Sequence, residues 1–289
     1  MKKVLVAGAT GYLGRYIAHE LQSRGYRVTV VVRNSAKLTA FEKAHFEVIE
    51  AEVTNPDSLV GCCNGVDTVI STVGITRQKD GLTYMDVDYQ VNKNLLQQAR
   101  QSGVGKFIYV SALNGEKLKH LKIFQAKEAF VDELKASGLE YCVIRPNGFF
   151  SDMAEIFHMA EKGCVYLFGD GSLKGNPIHG EDLAEYCVNA ISGTKQELNV
   201  GGPQTLTQNE IASIAFEALG TPPQITHIPD WCRVAICKLL TTFTSSKFYG
   251  PFEFFLTVMG REMVAPQYGN RTLKEYYQGL NDKTPESTS

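Results

Sequence analysis

Six short runs rich in β-branched residues (3–7, 27–32, 46–51, 67–71, 106–111 and 141–145) alternate with amphipathic stretches of helical length, such as 85–101 and 124–137. Strands separated by helices cannot be hairpin neighbours. Each crossover carries the chain back along the sheet face, so adjacent strands must run parallel. The alternation predicts an α/β fold built on a doubly wound parallel sheet. After Pro146 the rhythm changes, with Gly169-Asp170-Gly171, Gly201-Gly202-Pro203 and Pro222-Pro223 punctuating shorter elements. That shift predicts a sheet domain over 1–148 and a smaller, substrate-facing lobe over 149–289, without a flexible linker and with segments free to return to the sheet.

A chain of 289 residues with 44% apolar and 21% charged residues can bury a substantial core. Its 29 basic and 31 acidic residues leave a net charge of −2, and no basic run offers a grip on a phosphate backbone, so nucleic acid is not expected as a partner. The seven cysteines form neither CxxC pairs nor zinc-type spacings with histidine. They read as reduced thiols of a cytoplasmic protein, and no metal is expected. Gly8, Thr10 and Gly11 break the first apolar run too early for an export signal. The apolar stretch 231–259 is interrupted by Arg233, Lys238, Lys247, Pro251 and Glu253, so no transmembrane helix is expected there. Peripheral membrane contact and oligomeric state stay open at this level.

The strongest local signal is Gly8-Ala9-Thr10-Gly11-Tyr12-Leu13-Gly14, which follows the first strand and opens a helix continuing through Tyr16, Ile17 and Leu21. Glycines serve such a bend because the turn takes positive φ, the backbone approaches a pyrophosphate, and the helix packs closely on its strand. The free amides of the helix start then hold the anion. This makes the sheet a Rossmann-type one. An acidic residue about 20 positions after the glycines would accept the ribose 2′-hydroxyl of NAD. Here Arg33 stands nineteen positions after Gly14, with Lys37 one helical turn further on. A guanidinium grips a 2′-phosphate that a carboxylate would repel, so NADP(H) is expected over NAD(H).

With these motifs the chain resembles the short-chain dehydrogenase/reductase superfamily, in its atypical NmrA-like branch. The resemblance also rests on Glu50-Ala51-Glu52-Val53-Thr54, Ile70-Ser71-Thr72-Val73-Gly74, Val91-Asn92-Lys93-Asn94, Val110-Ser111-Ala112, Ala126-Lys127, Ile144-Arg145-Pro146-Asn147-Gly148 and Ile178-His179-Gly180-Glu181-Asp182. It implies that Val53 lies against the adenine and that Ser71, Thr72, Val73 and Gly74 line the ribose and nicotinamide side. Lys127 would reach the nicotinamide ribose, Ser111 would sit at the chemistry, and Pro146 and Asn147 would complete the cofactor set. The order Met263-Val264-Ala265-Pro266-Gln267-Tyr268-Gly269 followed by Thr272-Leu273-Lys274-Glu275, with Phe168-Gly169-Asp170-Gly171, further resembles the divinyl chlorophyllide 8-vinyl reductase branch.

One position departs from the superfamily pattern. The slot four residues before the active-site lysine, usually a tyrosine, holds Ile123. Proton donors in reach would be Lys127, Tyr84, Tyr89, His120 and His179, and the candidate catalytic set is Lys127, Ser111 and Tyr84. The apolar residues Phe149, Phe150, Met153, Ile156, Phe157 and Met159, with the later aromatics from Trp231 to Phe255, suit a bulky hydrophobic substrate. The expected function is NADPH-dependent reduction of an apolar carbonyl or conjugated alkene, such as a vinyl tetrapyrrole. The alternatives are an NADP(H)-binding sensor or assembly factor without turnover, and a nucleotide-sugar epimerase, which the missing tyrosine disfavours.

Overall fold

The computed structural model describes residues 1–75 and 81–282. In chain order the first elements are β1 (Lys3–Ala7), α1 (Tyr12–Ser23), β2 (Arg27–Val32), α2 (Ala40–His45), β3 (Glu47–Glu50), β4 (Thr68–Ser71), α3 (Asn92–Gln101), β5 (Lys106–Val110), α4 (Lys122–Lys135) and β6 (Glu140–Pro146). There follow α5 (Phe150–Glu161), β7 (Val165–Phe168), β8 (Lys174–Gly175), α6 (Gly180–Asn189), β9 (Glu197–Val200), β10 (Leu206–Thr207), α7 (Gln208–Leu219), β11 (Ile225–Ile228), α8 (Asp230–Phe243), α9 (Ser246–Met259) and α10 (Leu273–Asn281).

Seven strands form one sheet in the order β3-β2-β1-β4-β5-β6-β9. The ladders from β3 to β6 are all parallel, as the alternation predicts, with Val4 opposite Val28 on one side and Thr68 on the other. The Val143 amide bonds the Gln196 carbonyl and the Asn147 amide the Val200 carbonyl, an ascending register that sets β9 parallel to β6. The strands are near-continuous apolar runs because helices cover both sheet faces. Leu13, Ile17, Ala18 and Leu21 turn one face of α1 inward, and Phe124, Phe130, Val131 and Leu134 do so for α4.

The chain divides into two compact units whose segments alternate along the sequence. One holds residues 1–145, 183–198 and 246–251; the other holds 146–182, 199–245 and the chain from 252 onward. The first unit's core joins Leu5, Val69, Leu95, Phe107, Tyr109, Phe130 and Val143. The second has its own core, in which Phe150, Ile156 and Phe157 of α5 meet Ala212 and Phe216 of α7 and Tyr277 of α10. These α5 side chains, expected to line a substrate pocket, are therefore core residues of their unit. Among the described residues, no helix is long and apolar enough to cross a membrane.

The expected helix over 85–101 is two structures in one. Met85–Val91 is wound as a π-helix and only Asn92–Gln101 as an α-helix. The Asn92 side-chain amide donates to the Asp88 carbonyl at 2.9 Å, competing for the acceptor that an α-helix gives to the backbone four residues on.

Candidate functional site

The chain runs outward from β1 to β2 and β3, then crosses to β4 and continues the other way. Its direction reverses at the carboxyl ends of β1 and β4, the place where open α/β sheets take ligands. Gly8 follows β1 with φ +88°, and its carbonyl accepts the Gly11 amide at 2.9 Å, which closes the bend. A Cβ on Gly8 would lie 2.5 Å from Thr72 Oγ1, and one on Gly14 would run into the Gly8 carbonyl. Thr72, just beyond β4, ties the two strand ends together through its amide (3.0 Å) and hydroxyl (3.2 Å) to the Ala7 carbonyl. Gly11 is the N-cap of α1; no side chain caps the helix start and no acid stands in its first turn. Ala9 is buried, Thr10 and Tyr12 are half-buried, and Leu13 anchors the helix on the sheet. The bend is thus a close-packed cradle with a helix start facing an anion site.

Beyond β4 the backbone of 71–74 is held from below. Ser71 donates to Asn92 Oδ1 at 2.5 Å, and Asn92 Nδ2 donates to the Val73 carbonyl at 3.1 Å. The exposed Gly74 passes against a buried ion pair: Lys127 Nζ lies 2.8 Å from Asp88 Oδ1, and a Cβ on Gly74 would come within 2.8 Å of the ammonium and 2.6 Å of the carboxylate. Asp88 Oδ2 also accepts the Ile75 amide at 3.1 Å. Lys127 Nζ sits 5.8 Å from the centre of the Tyr109 ring. Burial works to lower the lysine's pKa, but Asp88 and Tyr109 raise it and prevail, so Lys127 stays a cation at neutral pH. Burial raises the pKa of Asp88 against the pull of Lys127, and it also raises that of the Tyr109 phenol. Asp88 Oδ1 and the Tyr109 hydroxyl are both buried, and Lys127 interacts with both.

A second buried cluster stands nearby in the same unit. Arg145 forks onto Glu128 at 2.5 and 3.0 Å, and Ser111 lies 3.3 Å from both the guanidinium and the Glu128 carboxylate. Ser111, a candidate catalytic residue, thus has its hydroxyl inside an ion-pair network. Ile123, in the slot of the usual tyrosine, is buried in the apolar core of α4.

The other candidates are placed as follows. Arg33 and Lys37 are exposed at the end of β2 and the short turn after it, and neither side chain makes an ion pair among the described residues. Glu50, closing β3, accepts the Ser35 amide at 3.1 Å between them. Val53 is half-buried against the first unit's core. Tyr84 is buried at the head of the π-helix. The Tyr89 hydroxyl is engaged by Glu133 and Lys93, at 2.8 and 2.9 Å. His120 is exposed. Pro146 and Asn147 belong to the second unit, where Asn147 Nδ2 donates to Asn176 and to the Met263 carbonyl. His179, also there, accepts the Glu181 amide at 3.2 Å beside Phe150 and Tyr276, and burial lowers its pKa. Residues 76–80 of the loop that follows β4 lie outside the described residues. Asp88, Asn92 and Tyr109 contact these candidates and were not among the site residues expected from the sequence.

This donor set fits a dinucleotide: a glycine cradle in which Gly8 and Gly14 have no room for a Cβ, an uncapped helix start, and a lysine at the reversal point. A family model described as NAD(P)H-binding matches residues 8–194, well over half of the chain. The chain belongs to the NAD(P)H-binding family. Among curated relatives, this NAD(P)H-binding protein is similar to divinyl chlorophyllide a 8-vinyl-reductase of Arabidopsis thaliana, 30% identical over 95% of this chain and 75% of that one. It is also similar to photosystem II assembly factor Ycf39 of Guillardia theta, 27% identical over 78% of this chain and 73% of that one. Among solved structures, the NADPH-dependent quinone oxidoreductase of Escherichia coli matches with a TM-score of 0.73 at 18% identity, covering 96% of this chain and 99% of that one. That likeness shows the fold.

Proposed function

We propose that this chain is an NADP(H)-dependent reductase acting on a hydrophobic conjugated alkene or carbonyl compound, with a ring-borne vinyl group of the kind named for its plant relatives as the first substrate to try. The observation that carries the reading is the Lys127–Asp88 pair against Gly74: a buried cation, kept charged by its partner, stands where the sheet direction reverses. Gly8, Thr10, Gly11, Tyr12, Leu13 and Gly14 would hold the pyrophosphate, Val53 the adenine, and Ser71 to Gly74 with Lys127 the nicotinamide ribose. Arg33 and Lys37 would take the 2′-phosphate, with Glu50 as the neighbour that limits this preference. Bound NADPH would supply the hydride. Lys127 would orient the ribose and donate hydrogen bonds as an ammonium. Tyr84 and the Tyr109 phenol are the candidates for the proton that follows, since position 123 offers none.

A second reading is non-catalytic NADP(H) binding by an assembly factor. It is favoured by the similarity to Ycf39 and by the engagement of Ser111 with Glu128 and Arg145. NADPH titration followed by fluorescence tests the reading common to both: no saturable binding defeats both. Steady NADPH oxidation with divinyl chlorophyllide or another hydrophobic conjugated alkene or carbonyl compound, lost in Lys127→Ala, supports the reductase. Binding without turnover on the whole panel leaves the assembly-factor reading.

A further inference from the structure

We propose that α8 is a docking face for an anionic lipid surface, lying in the headgroup plane with Trp231, Val234, Leu239 and Phe243 in the acyl boundary. The helix carries large apolar side chains where a soluble helix carries polar ones. Trp231 is 70% exposed, Phe243 79% and Leu239 57%, with Val234 and Ile236 also in solvent, and no residue of α8 is buried. So many large apolar side chains exposed on one short helix, with Lys238 and Thr242 between them, mark an interaction surface.

Three observations favour lipid over a protein groove. From Asp230 to Glu253 the sequence holds three cations, Arg233, Lys238 and Lys247, against two acids, with Arg233 paired to Asp230; the segment is net positive although the whole chain carries a net charge of −2. That local charge complements anionic headgroups, and the exposed Lys238 can extend its ammonium to them from among the apolar side chains. The hydroxyls at the end of the helix are already satisfied. Thr241, Thr242 and Thr244 donate to the carbonyls of Cys237, Lys238 and Leu240 at 3.0, 2.7 and 2.6 Å, so entering a medium of low polarity leaves few orphaned groups. Fourteen residues make a rod of about 20 Å, suited to lying on a bilayer and too short to cross it. The helix is moored to its own unit by Arg233, which bonds Asp230 at 2.7 and 3.0 Å and the Leu256 carbonyl at 2.9 Å.

The test uses the full chain and vesicles of phosphatidylcholine, with and without about one third phosphatidylglycerol. Trp231 is the only tryptophan in the sequence, so its emission reports directly on this face. The expected result is a blue shift and co-flotation with the anionic vesicles. Flotation should fall at least about tenfold in Trp231→Ser/Leu239→Ser/Phe243→Ser and severalfold in Lys238→Glu, with unchanged far-UV circular dichroism. An unshifted Trp231 emission with anionic vesicles overturns the proposal whatever the variants do, as does equal flotation of the triple variant. A concentration-dependent dimer that the triple variant abolishes, without vesicle binding, would assign the face to a second copy of the chain and equally overturn it.

Discussion

Two buried ion pairs, contributed by neighbouring elements of one unit, have opposite characters. Arg145 and Glu128 meet in a two-pronged contact, with Ser111, Glu197 and Glu116 around the guanidinium, and a Cβ on Gly115 would strike the carboxylate. Lys127 and Asp88 meet through one oxygen, beside the Tyr109 phenol and a glycine that leaves the ammonium open to approach. A fully satisfied pair locks its elements together, whereas an under-satisfied one keeps hydrogen-bonding capacity for something else. The first cluster is mortar; the second is where the proposed function puts its ligand.

The largest effect should come from breaking the mortar. Glu128→Gln leaves the Arg145 charge buried with only half-exposed or exposed acids near it, and should cost about 3–5 kcal/mol in urea denaturation. A loss below about 1 kcal/mol would erase the contrast between the clusters. Next, Arg33→Ala removes a charge-assisted contact remote from both clusters and should weaken NADPH binding by about 1.5–3 kcal/mol in calorimetry, with NADH little changed. Equal losses for both would show that Arg33 does not read the 2′-phosphate.

Lys127 gives the contrast a pH signature. Its folded-state pKa is raised above the ordinary 10.5, so its pairing stabilises fully below that value and the contribution fades as pH climbs towards the folded one. The stability margin of the wild type over Lys127→Met should therefore shrink in alkaline urea titrations, and also in acid as Asp88, whose pKa burial raises, takes up its proton; a margin that does not change with alkaline pH would contradict the assignment. The smallest effect is expected for Ser111→Ala: the loss of two long hydrogen bonds should cost about 1 kcal/mol of stability and leave NADPH affinity intact. A selective loss of turnover with unchanged stability would instead return Ser111 to the chemistry.

The parallel sheet was legible because β-branched runs and helical periods are local signals, and the cradle was legible because Gly8 and Gly14 answer to backbone sterics. Asp88 was not. Its partner lies far along the chain, and ion pairing at such separation leaves no local periodicity. The one available signal was an acid on the buried face of an amphipathic stretch, between Val87 and Val91. Tyr109 read as a strand core residue, which it also is, packed edge-on against Phe130. The roles of α5 aromatics were ambiguous for a related reason: a stripe of large apolar residues looks the same whether it faces a ligand or its own core.

The return of residues 183–198 to the first unit has a consequence for how the protein is made. The Lys106 ammonium is bonded to the Gly193 carbonyl, and the Val143 amide to that of Gln196. As the ribosome releases the chain, the border strand β6 waits bare until some fifty more residues have emerged. A fragment cut after residue 148 would keep its glycine bend yet present an unpaired, sticky strand to every other copy. Any attempt to graft the nucleotide half onto another protein should carry the late segment with it.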